Sequence, residues 1–208
     1  MREPTEQETR LLDAAVVTGG LGPRYTQPHR EYHNLMHVED VLLRIEELEP
    51  PAEHELALAL AAWFHDAVYQ PGKTDNEDRS AYVAYDALEQ VGASPALIAE
   101  VVRLVRLTAS HDPDPDDVTG AVLCDADLSI LAAAADRYAQ YAAAIRQEYI
   151  HIPQAEFCAG RAKVLQSFLD RPAIYRTPHG QQYWEAAARA NLANEIAQLT
   201  ALQLPPLR

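Results

Sequence analysis

Apolar positions recur at helical spacing along most of the chain, and no stretch keeps the strict apolar–polar alternation of a strand. The clearest stripe lies within residues 34–48, where every third or fourth position is apolar. The spacing therefore predicts an all-α fold. Its predicted helices cover residues 5–18, 34–48, 52–68, 76–91, 95–108, 119–134, 136–149, 154–169 and 180–200.

Local signals predict where several of these helices begin and end. Thr5 and Glu8 have the spacing of a capping box, and Ser94 precedes a proline suited to the first helical position. Asn76 is predicted to cap the helix that it opens. The glycine-rich segment 19–23 is predicted to end the first helix. The segment 52–68 is nearly all apolar in its second half, so this helix should lie centrally.

Composition and charge narrow the class of protein. A chain of 208 residues without internal repeats predicts one domain over residues 1–208. The formal net charge of −14 disfavours binding to a nucleic-acid polymer. No apolar run approaches the ~20 residues that span a bilayer, and no secretory signal is evident, so a cytoplasmic protein without a membrane partner is expected. Cys124 and Cys158 are interpreted as reduced thiols, and a homo-oligomer is compatible with the sequence.

Polar residues in otherwise apolar helices are the main indication of chemistry. His65 and Asp66 close the most apolar segment, and Asp127 interrupts the apolar stretch 121–131. His37 also lies among apolar neighbours. Burying such groups is costly unless a partner satisfies them, and one divalent cation would satisfy all four. Imidazole and carboxylate ligands together suit Mn, Fe, Co, Ni or Zn. Asp125 is expected instead to be solvated or to cap a helix.

Five stretches in one order carry a resemblance to a known family. They are YHNLMH, FHDAVY, NEDRSA, DADLSIL and EYIHIPQAEFCAGRAKVLQSFLDRPAIY. In this order they resemble the HD superfamily of metal-dependent phosphohydrolases, and more narrowly a bacterial group of predicted HD phosphohydrolases of about this length. The resemblance covers residues 25–195 and implies a single-domain HD-type helical bundle with a central metal site. Ala132 departs from the glycine expected there, which concerns packing and no ligand.

The resemblance also implies roles for individual residues. The metal ligands would be His37, His65, Asp66 and Asp127, and the ion Mn, Mg, Co, Fe, Ni or Zn. Such an ion lowers the pKa of a water from ~16 toward ~7. Asp66 would orient that water, and Glu77 would serve as general acid or base. The implied substrate is a small phosphate ester, with a nucleotide first. Its predicted contacts are Arg30, His33, His111, Arg161 and Lys163.

Other interpretations of the same residues stay open at this point. Glu77 also suits the positive end of a helix, while Arg161 and Lys163 also suit surface ion pairs. His33 and His111 are equally interpreted as hydrogen-bonded histidines without a role in catalysis. Two alternative functions remain: a non-catalytic HD module that senses a nucleotide, and a di-iron HD oxygenase or lyase that recruits these additional histidines.

Overall fold

The computed structural model describes residues 4–202, and every regular element within them is helical. The all-α fold predicted from the spacing is therefore confirmed. Contacts between Cα atoms divide the chain into two compact units, residues 1–127 and residues 128–208. One domain over the whole length stays a prediction.

Within residues 4–127 the structure has seven α-helices, and most of them pack around the fourth. The fourth, α4, contacts α1, α3, α5, α6 and α7. Its side chains Leu58, Leu60 and Phe64 are completely buried, and each contributes about 1.5–3 kcal/mol by leaving water. The central position predicted for this segment is therefore confirmed. The helices are α1 (Glu6–Thr18), α2 (Leu21–Tyr25), α3 (Leu35–Glu47), α4 (Glu55–Phe64), α5 (Asn76–Gln90), α6 (Pro95–Leu107) and α7 (Val118–Asp127).

The second unit contains α8 (Ala135–Glu148), α9 (Gln154–Leu169) and α10 (Glu185–Ala201). A 3₁₀ turn, Leu128–Ala132, begins the unit, and one π-helical turn, Gly180–Trp184, leads into α10. Helix α10 packs against α9 and against the 3₁₀ turn. The bounds of α8 and α9 agree with the predicted helices. Helix α10 starts about five residues later than predicted, because the chain first makes the π turn. The predicted helix 119–134 is α-helical only to Asp127 and continues as the 3₁₀ turn.

Predicted caps are mostly confirmed. Thr5 and Glu8 form the reciprocal capping box, and the Ser94 hydroxyl accepts from the N–H of Leu97. The cap predicted for Asn76 is wrong, because its amide bonds to the backbone of Gln70 instead. The segment 19–23 ends α1 as predicted, but the chain then turns at Gly20, with φ +61°, directly into the unpredicted α2.

Helix α4 ends at Phe64, four residues before the predicted end at Val68. The apolar residue Ala67 reflects burial rather than helix, because it is buried in an irregular segment. Within residues 4–202 no single helix is long and apolar enough to cross a bilayer, although the bent pair Val118–Ala132 and Ala135–Glu148 together reaches that length and composition.

Candidate metal centre

Three helices of the first unit bring four polar side chains to one place. His37 lies on the buried face of α3, His65 and Asp66 follow the last turn of α4, and Asp127 ends α7. These three helices pack against each other in every pairing. Residues far apart in sequence therefore meet because each lies on, or directly after, one of three helices that pack together.

The ligand atoms of these four residues converge closely. The Nε2 atoms of His37 and His65 lie 3.0 Å apart. Oδ1 of Asp127 is 3.1 Å from Nε2 of His37 and 3.7 Å from Nε2 of His65. Oδ2 of Asp66 is 3.2 Å from Nε2 of His65 and 3.6 Å from Nε2 of His37. The ligand atoms of His37, His65 and Asp127 thus form one group, and Oδ2 of Asp66 lies beside its two nitrogens.

These separations suit a coordinated metal ion. With metal–ligand bonds of about 2.1 Å, neighbouring ligand atoms are roughly 3.0 Å apart at right angles and about 3.4 Å apart in a tetrahedron. The Nε2, Nε2 and Oδ1 atoms of His37, His65 and Asp127 lie within 4.8 Å of one another. His37 and His65 are only 3% and 2% exposed. The residues therefore fit an ion such as Mn, Fe, Co, Ni or Zn.

The Nδ1 atoms of His37 and His65, which are not among the converging ligand atoms, differ in their contacts. Nδ1 of His65 donates to the carbonyl oxygen of Ala62 over 2.8 Å, which leaves Nε2 with a free lone pair. Nδ1 of His37 is buried and has no hydrogen-bond partner among residues 4–202. The His37 ring is held instead by packing, with the rings of Tyr32 and His33 at centroid distances of 4.8 and 5.7 Å.

The centre is strongly negative unless a cation or proton enters it. Burial by itself would lower the pKa of His65, but the carboxylates of Asp66 and Asp127 outweigh it and raise the pKa to about 9. Burial would likewise raise the pKa of Asp66, yet His65 and then His33 hold that pKa well below its usual range. The pKa of Asp127 is depressed in the same way by His65 and His111. Both carboxylates are thus held ionised.

The backbone that follows His65 is fixed by buried side chains instead of a helix. Arg30 donates to the carbonyl oxygens of Asp66 and Ala67. Ser80 bonds to both the N–H and the carbonyl of Val68, and Asn76 bonds to both groups of Gln70. His29 donates to the carbonyl of Tyr69. Asn76 and Ser80 belong to the NEDRSA stretch, so that stretch supports the HD segment.

His111 lies directly beside the centre. Its Nε2 donates to Oδ2 of Asp127 over 2.8 Å, while Oδ1 of Asp127 faces His37. The backbone of His111 is left-handed, with φ +47°, which is uncommon for a residue with a side chain. Arg103 anchors the far end of the same loop through two bonds to Asp117.

His33 lies next to His37 and against aromatic rings. Its imidazole stacks on Tyr69 at a centroid distance of 4.0 Å, and Tyr69 also stacks on His29 at 6.4 Å. The effect of His33 on the pKa of Asp66 places its charge near that carboxylate. Tyr69 was missed by the sequence reasoning, although it is the last residue of the quoted FHDAVY stretch.

Four further residues named from the sequence have the following surroundings. Glu77 is partly exposed in the first turn of α5 and forms no ion pair within residues 4–202. Arg161 forms a buried ion pair with Glu195 in the second unit, and Lys163 is exposed on α9. Phosphate binding by Arg30, Arg161 and Lys163 stays a prediction. Asp125 is completely buried in α7, so the expectation of a solvated or capping group is wrong.

No protein-family model, curated protein or solved structure matches the chain. The helical fold and a His/His/Asp group able to hold a metal ion are thus established from the chain's own geometry.

Proposed function

We propose that this protein is a metal-dependent phosphohydrolase of the HD superfamily that acts on a small phosphate ester, with nucleotides as the first substrate class. The observation that carries the proposal is the group formed by His37, His65 and Asp127, whose ligand atoms lie 3.0 to 3.7 Å apart. Oδ2 of Asp66 lies 3.2 and 3.6 Å from the two imidazole nitrogens of this group. The order of the HD motifs along the chain supports the assignment to phosphate chemistry.

The residues of the candidate metal centre and Glu77 each have a proposed role. His37, His65, Asp66 and Asp127 would hold the ion. A bound divalent ion lowers the pKa of water and offsets the charge of a phosphate group. Asp66 would also orient the attacking water through its second carboxylate oxygen. Glu77, which forms no ion pair within residues 4–202, is the proposed general acid or base for the leaving group.

The charge of the first unit limits the size of the substrate. Residues 1–127 contain 25 of the 31 acidic residues and 9 of the 17 basic ones, a formal charge of −16. A long polyphosphate chain would be repelled by this surface, whereas one phosphate group can be neutralised locally by the ion. A substrate with a single phosphate, such as a nucleoside monophosphate, is therefore the best candidate.

A metal analysis combined with a substrate screen tests the proposal. Purified protein is stripped with chelator, reloaded with Mn, Co, Zn or Mg, and assayed for phosphate release from a panel of nucleotides. We expect metal-dependent turnover that Asp66→Ala abolishes. Asp13→Ala, at an exposed position on α1, is the matched control and should retain activity. Protein that binds no metal would overturn the proposal. Ligand-induced thermal stabilisation without product would favour the nucleotide-sensing alternative.

A di-iron oxygenase is a second candidate, favoured by one contact. Asp127 presents one oxygen to His37 and the other to His111, so Asp127 and His111 would be available to hold a second ion. Metal stoichiometry discriminates between the two candidates: about one ion per chain supports the phosphohydrolase with a single metal, and two irons with oxygen consumption support the oxygenase.

A further inference from the structure

We infer that Arg30 is a positioning residue that fixes the backbone around the candidate metal centre, and that the affinity of the centre for metal depends on it. The inference rests on the proposed metal site. It gives Arg30 an effect on the ligand geometry that is independent of any contact with substrate.

The guanidinium of Arg30 joins the two chain segments that carry ligands. Its Nη1 donates to the carbonyl oxygens of His33 and Asp66, each over 2.9 Å, and its Nη2 donates to that of Ala67 over 3.3 Å. The first carbonyl lies just before α3, which carries His37, and the others belong to the turn after α4. One side chain, only 6% exposed, thus links both segments.

Aromatic rings hold the plane of this guanidinium. Its Cζ lies 5.1 Å from the ring centroid of Tyr25 and 5.5 Å from that of Tyr69. Nε donates to the amide oxygen of Gln27. The hydroxyl of Tyr25 donates in turn to the carbonyl of Trp63, in the last turn of α4. The donors of Arg30 are therefore pre-organised, which a flexible ammonium group would not reproduce.

The position of the carbonyl of Asp66 bears directly on the metal ligands. That carbonyl is bonded to the Cα that carries the ligating carboxylate, and His65 is the preceding residue. A binding site for a metal tolerates displacements of only about 0.5 Å. Without Arg30 the carbonyls of Asp66 and Ala67 lose their side-chain donor in an irregular buried segment, and the turn is free to move.

A second arginine offers a matched control. Arg146 also donates through Nε to a glutamine, Gln154, through Nη1 to the carbonyl of Tyr149, and through Nη2 to that of Ile152. Its Cζ lies 4.7 Å from the ring centroid of Phe157. Arg146 therefore makes the same kinds of contact around a turn of the second unit that carries none of the four ligands.

Cobalt binding to the full-length chain tests the inference. Metal-free wild type, Arg30→Met, Arg30→Lys and Arg146→Met are titrated with Co²⁺ and followed by visible absorption, with thermal unfolding of the metal-free proteins measured in parallel. We expect Arg30→Met to bind Co²⁺ about 10- to 100-fold more weakly, with a changed spectrum. Arg30→Lys should recover part of the affinity. Arg146→Met should lower the unfolding temperature and leave affinity and spectrum unchanged.

Several results would overturn the inference. An Arg30→Met protein with wild-type affinity and spectrum would overturn it and leave the proposed function intact. An Arg30→Met protein whose only defect is a raised KM would also overturn it, because that defect indicates a phosphate contact. Where Arg30→Met fails to fold, an Arg30→Lys protein indistinguishable from wild type overturns it. Wild type that binds no Co²⁺ removes the proposed function and this inference together.

Discussion

Residues 1–127 and residues 128–208 both bury carboxylates, but they neutralise them differently. In the second unit Glu195 accepts two hydrogen bonds from Arg161, over 2.9 and 3.2 Å, and a third from the hydroxyl of Tyr138. In the first unit, the side chains of residues 4–202 within ion-pair distance of Asp66 and Asp127 are imidazoles. Glu195 thus has a permanent cation beside it, whereas the ion-pair partners of Asp66 and Asp127 within residues 4–202 are imidazoles.

The difference indicates what each group of buried charges is for. A buried carboxylate needs a close opposite charge, because desolvation is otherwise too costly. Arg161 carries a permanent positive charge, so its ion pair with Glu195 is interpreted as structural. At the candidate metal centre only a proton on an imidazole or an external cation can supply such a charge. The carboxylates of Asp66 and Asp127 raise the pKa of His65 to about 9, so a proton on this imidazole can balance their charge when no external cation is bound.

The largest expected effect comes from removing a ligand of the first unit. His65→Ala should abolish the rise in unfolding temperature that Mn²⁺ gives the wild type. It should also lower phosphatase kcat/KM by at least about 1,000-fold, or about 4 kcal/mol, because the site loses its ion. The control His151→Ala lies at an exposed position of the second unit and should behave like wild type. Retained stabilisation by Mn²⁺ in His65→Ala would contradict the assignment of this ligand.

Breaking the ion pair of the second unit should affect stability and spare metal binding. Glu195→Ala leaves Arg161 buried without its partner, so we expect a loss of about 3–5 kcal/mol in the free energy of unfolding, measured with urea. The affinity for Mn²⁺ at a temperature where the variant is folded should not change. Glu156→Ala, exposed on α9, is the control. A loss below about 1 kcal/mol would mean that the pair is not structural.

Two helix glycines, one in each unit, should respond in opposite directions to alanine. A Cβ at Gly120 in α7 would collide with the carboxylate of Asp117 and lie 2.6 Å from Cδ2 of Leu107. We expect Gly120→Ala to cost about 1–3 kcal/mol and to weaken metal binding through the displaced loop of His111. Nothing lies within 4 Å of a Cβ at Gly160 in α9. Gly160→Ala should therefore stabilise by about 0.5–1 kcal/mol, and equal urea midpoints for the two variants would refute the comparison.

The smallest expected effect is on acid stability, at the network around Arg103. Hydrogen bonding to Arg103 lowers the pKa of Glu100 below its usual 4.5. Burial would raise the pKa of Asp117, but bonds from Arg103 and the N–H of Gly120 outweigh it and lower the pKa below 3.8. Thr119 donates to the carboxylate of Glu100.

Because both pKa values are lower in the folded state, the stabilisation is complete above about pH 4.5 and is lost as the pH falls through the folded values. The three charged side chains are partly exposed, so the effect should stay below about 1 kcal/mol. Urea midpoints measured from pH 7 to pH 3 should fall less steeply for Arg103→Gln than for wild type. Parallel profiles would show that this network does not contribute to the acid dependence.

The helices and the types of side chain at the site could be predicted because both depend on short stretches of sequence. Helical periodicity and caps such as Thr5 with Glu8 depend on residues three or four apart. The candidate ligands His65, Asp66 and Asp127 could be identified as polar residues in apolar segments, which needs only a short window of sequence. The end of α4 could not be predicted this way, because Ala67 is apolar for reasons of burial in an irregular turn.

By itself, then, the sequence determined an all-α chain with a small set of histidines and carboxylates in buried helices. Tertiary structure decided that the Nε2 atoms of His37 and His65 meet at 3.0 Å. It also decided that Arg161 pairs with Glu195, 34 positions away, and that Arg30 reaches the carbonyl of Asp66, 36 positions away. The physical reason is that helix formation depends on near neighbours in the chain. The partner of a buried polar group depends instead on which helix faces pack together, and no short stretch of sequence records that.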